Sequence, residues 1–309
     1  MISCTEFIPA YSTLFTYLEE TFGPEAVPDY WGKHFDFKKH ALYHFLEKEG
    51  LHGCWSYWKG TLNEEAADFT MYLNEKRGFY MIKMHRCPSK GRLLEMQSKI
   101  GVPPYRNYCL HCDYYRASAE ACGFQYIYNF EGTDHAACSL LIYDPKLFDG
   151  RVIIDDDTLV MDRKASDNEY FHKAFHNSLN KGINFLGTYH GENYIRAYLT
   201  KFASTVYRPV IEDIQVRGLA ALRDKILDTY EKEHAPEAVS VSLCESALQV
   251  KVAWCPAVKY LHEAGMEVNP WFSMSTEVVM SVLAEQSGYH FSMDHYDPET
   301  GAADYHFWK

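Results

Sequence analysis

The sequence carries no phosphate-cradling or nucleophile-elbow motif. Neither G-x-x-x-x-G-K-[ST] nor G-x-G-x-x-G nor G-x-S-x-G occurs in its 309 residues, which removes the kinase-like, Rossmann and α/β-hydrolase readings at the motif level. It also lacks a basic surface. The formal net charge is −12, and the densest basic cluster is the pair Lys38-Lys39. A chain this acidic is not expected to partner nucleic acid or an anionic membrane. There is no apolar run of about 18 residues, so no membrane span is expected, and no basic start or apolar stretch after Met1 reads as an export signal. The expectation is a soluble, cytoplasmic protein. In a reducing compartment its nine cysteines read as ligands, nucleophiles or core residues before disulfides.

Hydrophobic residues make up 47% of the chain and charged residues 23%, enough to build a core and too balanced for extensive disorder. Aromatics are abundant at 16%, with 24 tyrosines. They suit an aromatic-packed core or a ring-lined pocket for a small molecule.

An internal repeat organises the rest. Cys87-Pro88 recurs as Cys255-Pro256, an offset of 168 residues. The same offset carries Gly23 onto Gly191, each following an apolar helical stretch as a C-cap glycine would. It also preserves strand register. Tyr80, Ile82 and Met84 alternate before the first Cys-Pro, as Leu248, Val250 and Val252 do before the second. Downstream the offset slips to 165 for Gly123 and Gly288, and Ala136-Ala137-Cys138 falls opposite Ala302-Ala303-Asp304 at 166.

Each copy reads as helices, a hairpin, helices and a closing hairpin. Helices are expected near 9–22 and 37–60, then 170–189 and 192–232. Hairpins are expected near 69–74 with 78–85, and 238–243 with 246–254. The fold class is therefore α+β: two tandem copies of one unit, each a mainly antiparallel sheet covered by helices. Residues 1–143 form the cysteine-rich first repeat and 169–309 the degenerate second. Residues 144–168 form a linker with an extra hairpin, Val152–Ile154 with Thr158–Met161. Such a chain mimics a homodimer, and the interface between its halves is a natural place for a cleft.

Four constellations carry chemistry. Cys87 stands between a strand and a helix N-terminus, a placement that favours thiolate, and Cys255 repeats it. The segment Cys109, His111, Cys112, Asp113 sets two thiols, an imidazole and a carboxylate within five residues. With Cys87 and Cys138 it offers a four-thiolate zinc or iron site. Alternatively a cysteine is the nucleophile with His111 or Asp113 as its base, or the cysteines are inert. His40 with His44, and His172 with His176, have i,i+4 spacing that suits a metal, although solvated or structural roles are the plainer reading. Asp134-His135 marks a turn beside Cys138. The second copy lacks the cysteine–Asp segment, so the fold does not require it.

On these residues the chain resembles the L-2-amino-thiazoline-4-carboxylic acid hydrolase-like family of bacterial proteins. The resemblance rests on Phe22-Gly23, Cys87-Pro88, Cys109 to Asp113 and Cys138, and covers most of residues 10–143. The second copy follows the pattern with Asp304 in place of the closing cysteine. The resemblance implies a hydrolase of non-peptide C–N bonds that opens a cyclic amidine or thioimidate ring. Cys87 or Cys109 would attack, or would hold a zinc or iron that activates water, and His111 and Asp113 would move protons. Trp254 and Trp271 of the second copy would complete the cleft. The competing reading is a non-enzymatic module, similar to sensory domains related to 4-vinyl reductase proteins, that binds a metal, haem or small ligand. A purely structural pseudo-dimer is the third.

Overall fold

The structure, a computed structural model, describes residues 1–309. It contains two antiparallel sheets with the same strand order. The first copy runs α1 (Phe7–Phe22), α2 (Ala26–His34), α3 (Ala41–Glu49), α4 (Leu51–Glu64), β1 (Asp68–Asn74), β2 (Phe79–Arg86), α5 (Pro88–Ile100), α6 (Tyr115–Ala121), β3 (Gln125–Asn129) and β4 (Cys138–Tyr143). After β5 (Leu159–Arg163), the second copy runs α7 (Phe175–Tyr189), α8 (Glu192–Val206), α9 (Arg208–Arg217), α10 (Leu219–Lys232), β6 (Val239–Leu243) and β7 (Ala247–Val252). It closes with α11 (Pro256–Glu263), α12 (Met274–Gln286), β8 (His290–Tyr296) and β9 (Ala303–Trp308). The sheets are ordered β3-β4-β2-β1-β5 and β6-β7-β9-β8. Without β5 they are the same four-stranded arrangement, so the α+β duplication is a property of the fold.

The chain divides into two compact units that do not run in sequence order. One comprises Pro24–Glu95 and Pro104–Tyr170; the other comprises Met1–Gly23, Met96–Pro103 and Phe171–Lys309. They are called the first and second units below. The leading helix α1 thus lies with the second sheet, whereas the sequence reading grouped residues 1–143 together. Its apolar face explains the placement. Phe7, Ile8, Leu14, Phe15 and Leu18 are buried, Phe7 stacks on Phe175 at 4.7 Å, and the Tyr198 hydroxyl donates to the Ala10 carbonyl at 3.0 Å.

Two of the expected helices are broken. The stretch 37–60 splits into α3 and α4 at Gly50, and 192–232 splits into three helices, the last joint being Gly218. Both glycines have positive φ, 59° and 68°. That region is open to glycine at no Cβ cost, so each helix can end and the next begin within one residue. The two joints are again 168 residues apart.

In the first unit, Phe69, Met71 and Leu73 of β1, Tyr80 and Ile82 of β2, and Leu140 and Ile142 of β4 make one buried face with Leu46, Cys54, Trp58 and Leu62 of α3 and α4. The extra hairpin expected in 144–168 does not form. Residues 151–155 are not a strand, and β5 pairs instead with β1, Met161 opposite Met71. The turn before β5 is tied down by polar bonds. Asn74 Nδ2 donates to Asp155 at 2.8 Å and to Thr158 at 2.9 Å, and Arg77 pairs with Asp155 at 2.6 Å. β5 thereby covers an edge that would otherwise expose unpaired backbone groups.

In the second unit, the largely buried Glu6 carboxylate is ion-paired with Lys225 and accepts the Tyr207 hydroxyl at 2.8 Å. Burial alone would raise its pKa, but Lys225 and Tyr207 together hold it below the usual carboxylate range. Removing one partner of such a pair strands the other charge. Lys225→Met is therefore expected to lower unfolding free energy by about 3–5 kcal/mol, read as a fall in the denaturation midpoint. Adding Glu6→Gln should recover part of that loss.

Candidate functional site

The first unit encloses a cavity of about 110 Å³. One wall is the sheet face carrying Ile82 and Met84 of β2, Cys138 and Leu140 of β4, and Tyr126 and Tyr128 of β3. Trp58, Leu62 and Glu65, in and just after α4, form another wall, and the 3-10 segment Tyr108–Tyr114 closes it. All its lining residues fall between 58 and 140, so the site is internal to one unit. Trp254 and Trp271 are not among them. Trp254 lies under the Lys259 ammonium, and a Cβ on Gly187 would meet the Trp271 ring at 2.4 Å.

Four of the predicted cysteines meet here. Cys87 follows β2; its N–H donates to the Ala136 carbonyl at 2.6 Å, and its sulfur accepts the Lys90 N–H at 3.4 Å. Ala136 adopts φ 61°, a left-handed conformation that costs about 1–2 kcal/mol in a residue with a Cβ. Cys109 and Cys112 lie three apart on a 3-10 helix, where such positions eclipse. Cys138 opens β4 opposite Met84 and accepts the Tyr128 hydroxyl at 3.2 Å. His111 also lines the cavity; its Nδ1 bonds the Tyr108 carbonyl, and its Nε2 is 3.6 Å from the Cys112 sulfur.

Other candidates stand elsewhere. Asp113 is half-exposed, paired with Arg116 at 2.7 Å, and does not face the cavity. Asp134 and His135 are exposed on a 3-10 turn. His40 is an N-cap whose Nδ1 accepts the Leu42 N–H at 3.1 Å, not half of a helical metal pair. His172 precedes α7, so His172 and His176 do not share a helix face either.

The electrostatics reverse the expectation for Cys87. A helix N-terminus favours thiolate, and the Lys90 N–H does act in that direction, but burial and then Cys112 push this thiol well above the usual range. Burial, then Cys112, raises Cys109 to about 12. Burial raises Cys112 to about 12 and Cys138 to about 11, each partly offset by Tyr128. Burial lowers His111. At neutral pH the sulfur wall is protonated and its imidazole neutral. No thiol is prepared as a nucleophile.

The second unit contains the counterpart of this cavity, nearly closed at about 10 Å³. Leu62, Met84, Cys87, Ala136 and Leu140 correspond to Tyr230, Val252, Cys255, Gly301 and Tyr305. Cys138 pairs with Met84 as Ala303 pairs with Val252, so the residue replacing the closing cysteine is Ala303, not Asp304. Two tyrosines occupy volume held by leucines in the first unit. The Cys255 thiol donates to the Met1 sulfur at 3.2 Å.

A second cluster was not anticipated. Cys4, His176 and Glu233 lie in the second unit with their ligating atoms all within 4.8 Å of one another, the only such trio of His, Cys, Asp and Glu side chains. It can hold a metal ion. Glu233 accepts the Cys4 N–H at 2.6 Å and bonds His176 Nε2 at 2.9 Å. Burial works against the carboxylate, but His176, then Ser3 and the Cys4 N–H, hold its pKa low. In the sequence these residues are 57 and 229 positions apart, and no local spacing announces them.

No family model matches the chain, and neither a curated protein nor a solved structure matches it. What the structure shows is a duplicated α+β architecture; no match ties the chain to the thiazoline-carboxylate hydrolase-like family. The expected hydrolytic Cys/Asp/His site confined to the first repeat is overturned. The tightest ligating cluster draws Cys4 from the first repeat and His176 and Glu233 from the second, and Asp113 is engaged elsewhere. No helix is long and apolar enough to cross a membrane.

The raised thiol pKa values set a test. Carboxymethylation of Cys109 under native conditions should be slow at pH 7–8 and accelerate towards pH 12, with Cys244, which is exposed, reacting first. Mass mapping showing Cys109 or Cys87 as the fastest thiol at pH 7 would contradict the assignment.

Proposed function

We propose that the protein is a non-enzymatic binding module whose first-unit cavity takes a small thiophilic ligand, a soft metal ion foremost. The observation that supports this most directly is the contrast between equivalent positions. The same fold is built twice, one copy with its hollow shut by tyrosines and the other with a hollow lined by four thiols and an imidazole. A core under selection for stability alone is filled, because voids forfeit packing contacts.

The donor set suits zinc or iron, since thiolate and imidazole are borderline-to-soft ligands. No three of the thiols and His111 converge within 4.8 Å. The sulfurs stand around the hollow and would have to draw together to hold an ion, each thiol giving up its proton to solvent as its bond to the metal formed. The output of such a module is the change of shape or stability on binding, read by a partner.

The test is thermal unfolding of reduced protein with Zn²⁺, Fe²⁺ or Cd²⁺ under anaerobic conditions. A ligand at one hundred times its Kd should stabilise the fold by about 2.7 kcal/mol, and Cys109→Ser/Cys112→Ser should abolish that gain when both proteins are compared in a Cys4→Ser background, which removes the separate Cys4, His176, Glu233 cluster. Absence of a shift with every ion, or an equal shift in the double variant, would refute the proposal.

A further inference from the structure

We infer that Cys4, His176 and Glu233 form a second metal site, for a zinc-class divalent cation, in the second unit and independent of the thiol-lined cavity. The three side chains supply one sulfur, one nitrogen and one oxygen, a donor set that zinc accepts in tetrahedral sites. All three are buried, Cys4 and His176 to 1% exposure and Glu233 to 4%, and their ligating atoms are already gathered within 4.8 Å.

Each donor is positioned by a separate element. Cys4 sits in a 3-10 turn whose capping box is closed by Ser3 and Glu6. His176 projects from the first turn of α7, and Glu233 immediately follows α10. Supporting bonds are in place as well. The Cys4 N–H fixes one carboxylate oxygen at 2.6 Å, and the backbone of His172 hydrogen-bonds the Cys4 sulfur. Outer contacts of this kind orient ligands in built metal sites.

Comparison of the repeats shows that the trio is not a requirement of the fold. At the offset of 168 residues, Glu233 corresponds to Glu65, but His176 corresponds to Ile8 and Cys4 to His172. Helix α1 packs an isoleucine where α7 places the histidine.

Binding requires little motion. His176 Nε2 and Glu233 Oε2 are 2.9 Å apart with a hydrogen between them. Zinc bonds of about 2.0–2.1 Å to each would set the two atoms roughly 3.3 Å apart in a tetrahedron. The ion takes the place of that hydrogen, which leaves Nε2 as Nδ1 becomes the protonated nitrogen. The Cys4 thiol proton passes to solvent as the zinc–sulfur bond forms, and a water can complete the shell.

The experiment is metal analysis of Cys109→Ser/Cys112→Ser protein purified from zinc-supplemented cells, with X-ray absorption at the zinc edge. The expected result is about one equivalent of zinc, with one sulfur near 2.3 Å and the remaining ligands nitrogen or oxygen near 2.0–2.1 Å. Adding Cys4→Ser or His176→Gln should remove at least nine-tenths of it. Folded, metal-free protein, an all-sulfur shell, or full zinc retention after Cys4→Ser would overturn the inference. If those added variants fail to fold, the absorption spectrum of the parent decides. Because the cavity cysteines are already replaced in that parent, failure here leaves the cavity proposal to its own thermal-shift test.

Discussion

The space between a sheet and the helices that cover it has to be filled, and the two halves of this chain meet that constraint differently. In the second unit Tyr230 and Tyr305 reach into the gap between sheet and helices and almost close it. In the first unit the matching positions are leucines, and the gap survives as a cavity edged by sulfur. The strand order is the same in both, so side-chain volume at a few equivalent positions decides whether a hollow exists. Deleting core volume without refilling it usually costs stability in proportion to the void. A hollow kept in one copy and filled in the other is therefore the feature on which a functional reading can rest.

Burial also governs the chemistry. A thiol at a helix N-terminus is commonly the mark of a reactive cysteine, and Cys87 has that position together with an N–H aimed at its sulfur. Desolvation and three neighbouring thiols outweigh the one favourable bond. The cavity wall is therefore made of neutral thiols at neutral pH, and none of them is prepared as a nucleophile. The second cluster follows the same logic with one thiol, one imidazole and one carboxylate held by an N-terminal turn, the start of α7 and the end of α10.

Much of the architecture was legible in the residues. Cys-Pro twice at one offset, and apolar alternation held in register through Tyr80–Met84 and Leu248–Val252, specify a duplicated strand-to-helix joint because register errors would turn every core residue outward. The breaks at Gly50 and Gly218 carried the same offset, yet a single glycine in an amphipathic stretch does not by itself end a helix. The sequence offset sets Asp304 opposite the closing cysteine, but turn lengths differ between copies and only the strand pairing assigns Ala303. The four cavity cysteines were named together from composition and spacing. Asp113 was included because it is adjacent in sequence, but a 3-10 turn sends it towards Arg116. His176 is marked by its i,i+4 spacing from His172, but its partners Cys4 and Glu233 are not marked by any spacing, since the three meet only through tertiary packing.

The central claim is that the first unit keeps a real hollow while its twin in the second does not. Crystals of the reduced protein equilibrated under xenon pressure test this directly, because xenon enters genuine voids in protein interiors. The account predicts xenon density between Tyr128, Cys112 and Leu62, and none between Tyr230, Ala303 and Tyr305. Xenon in neither place, or in both alike, would contradict it.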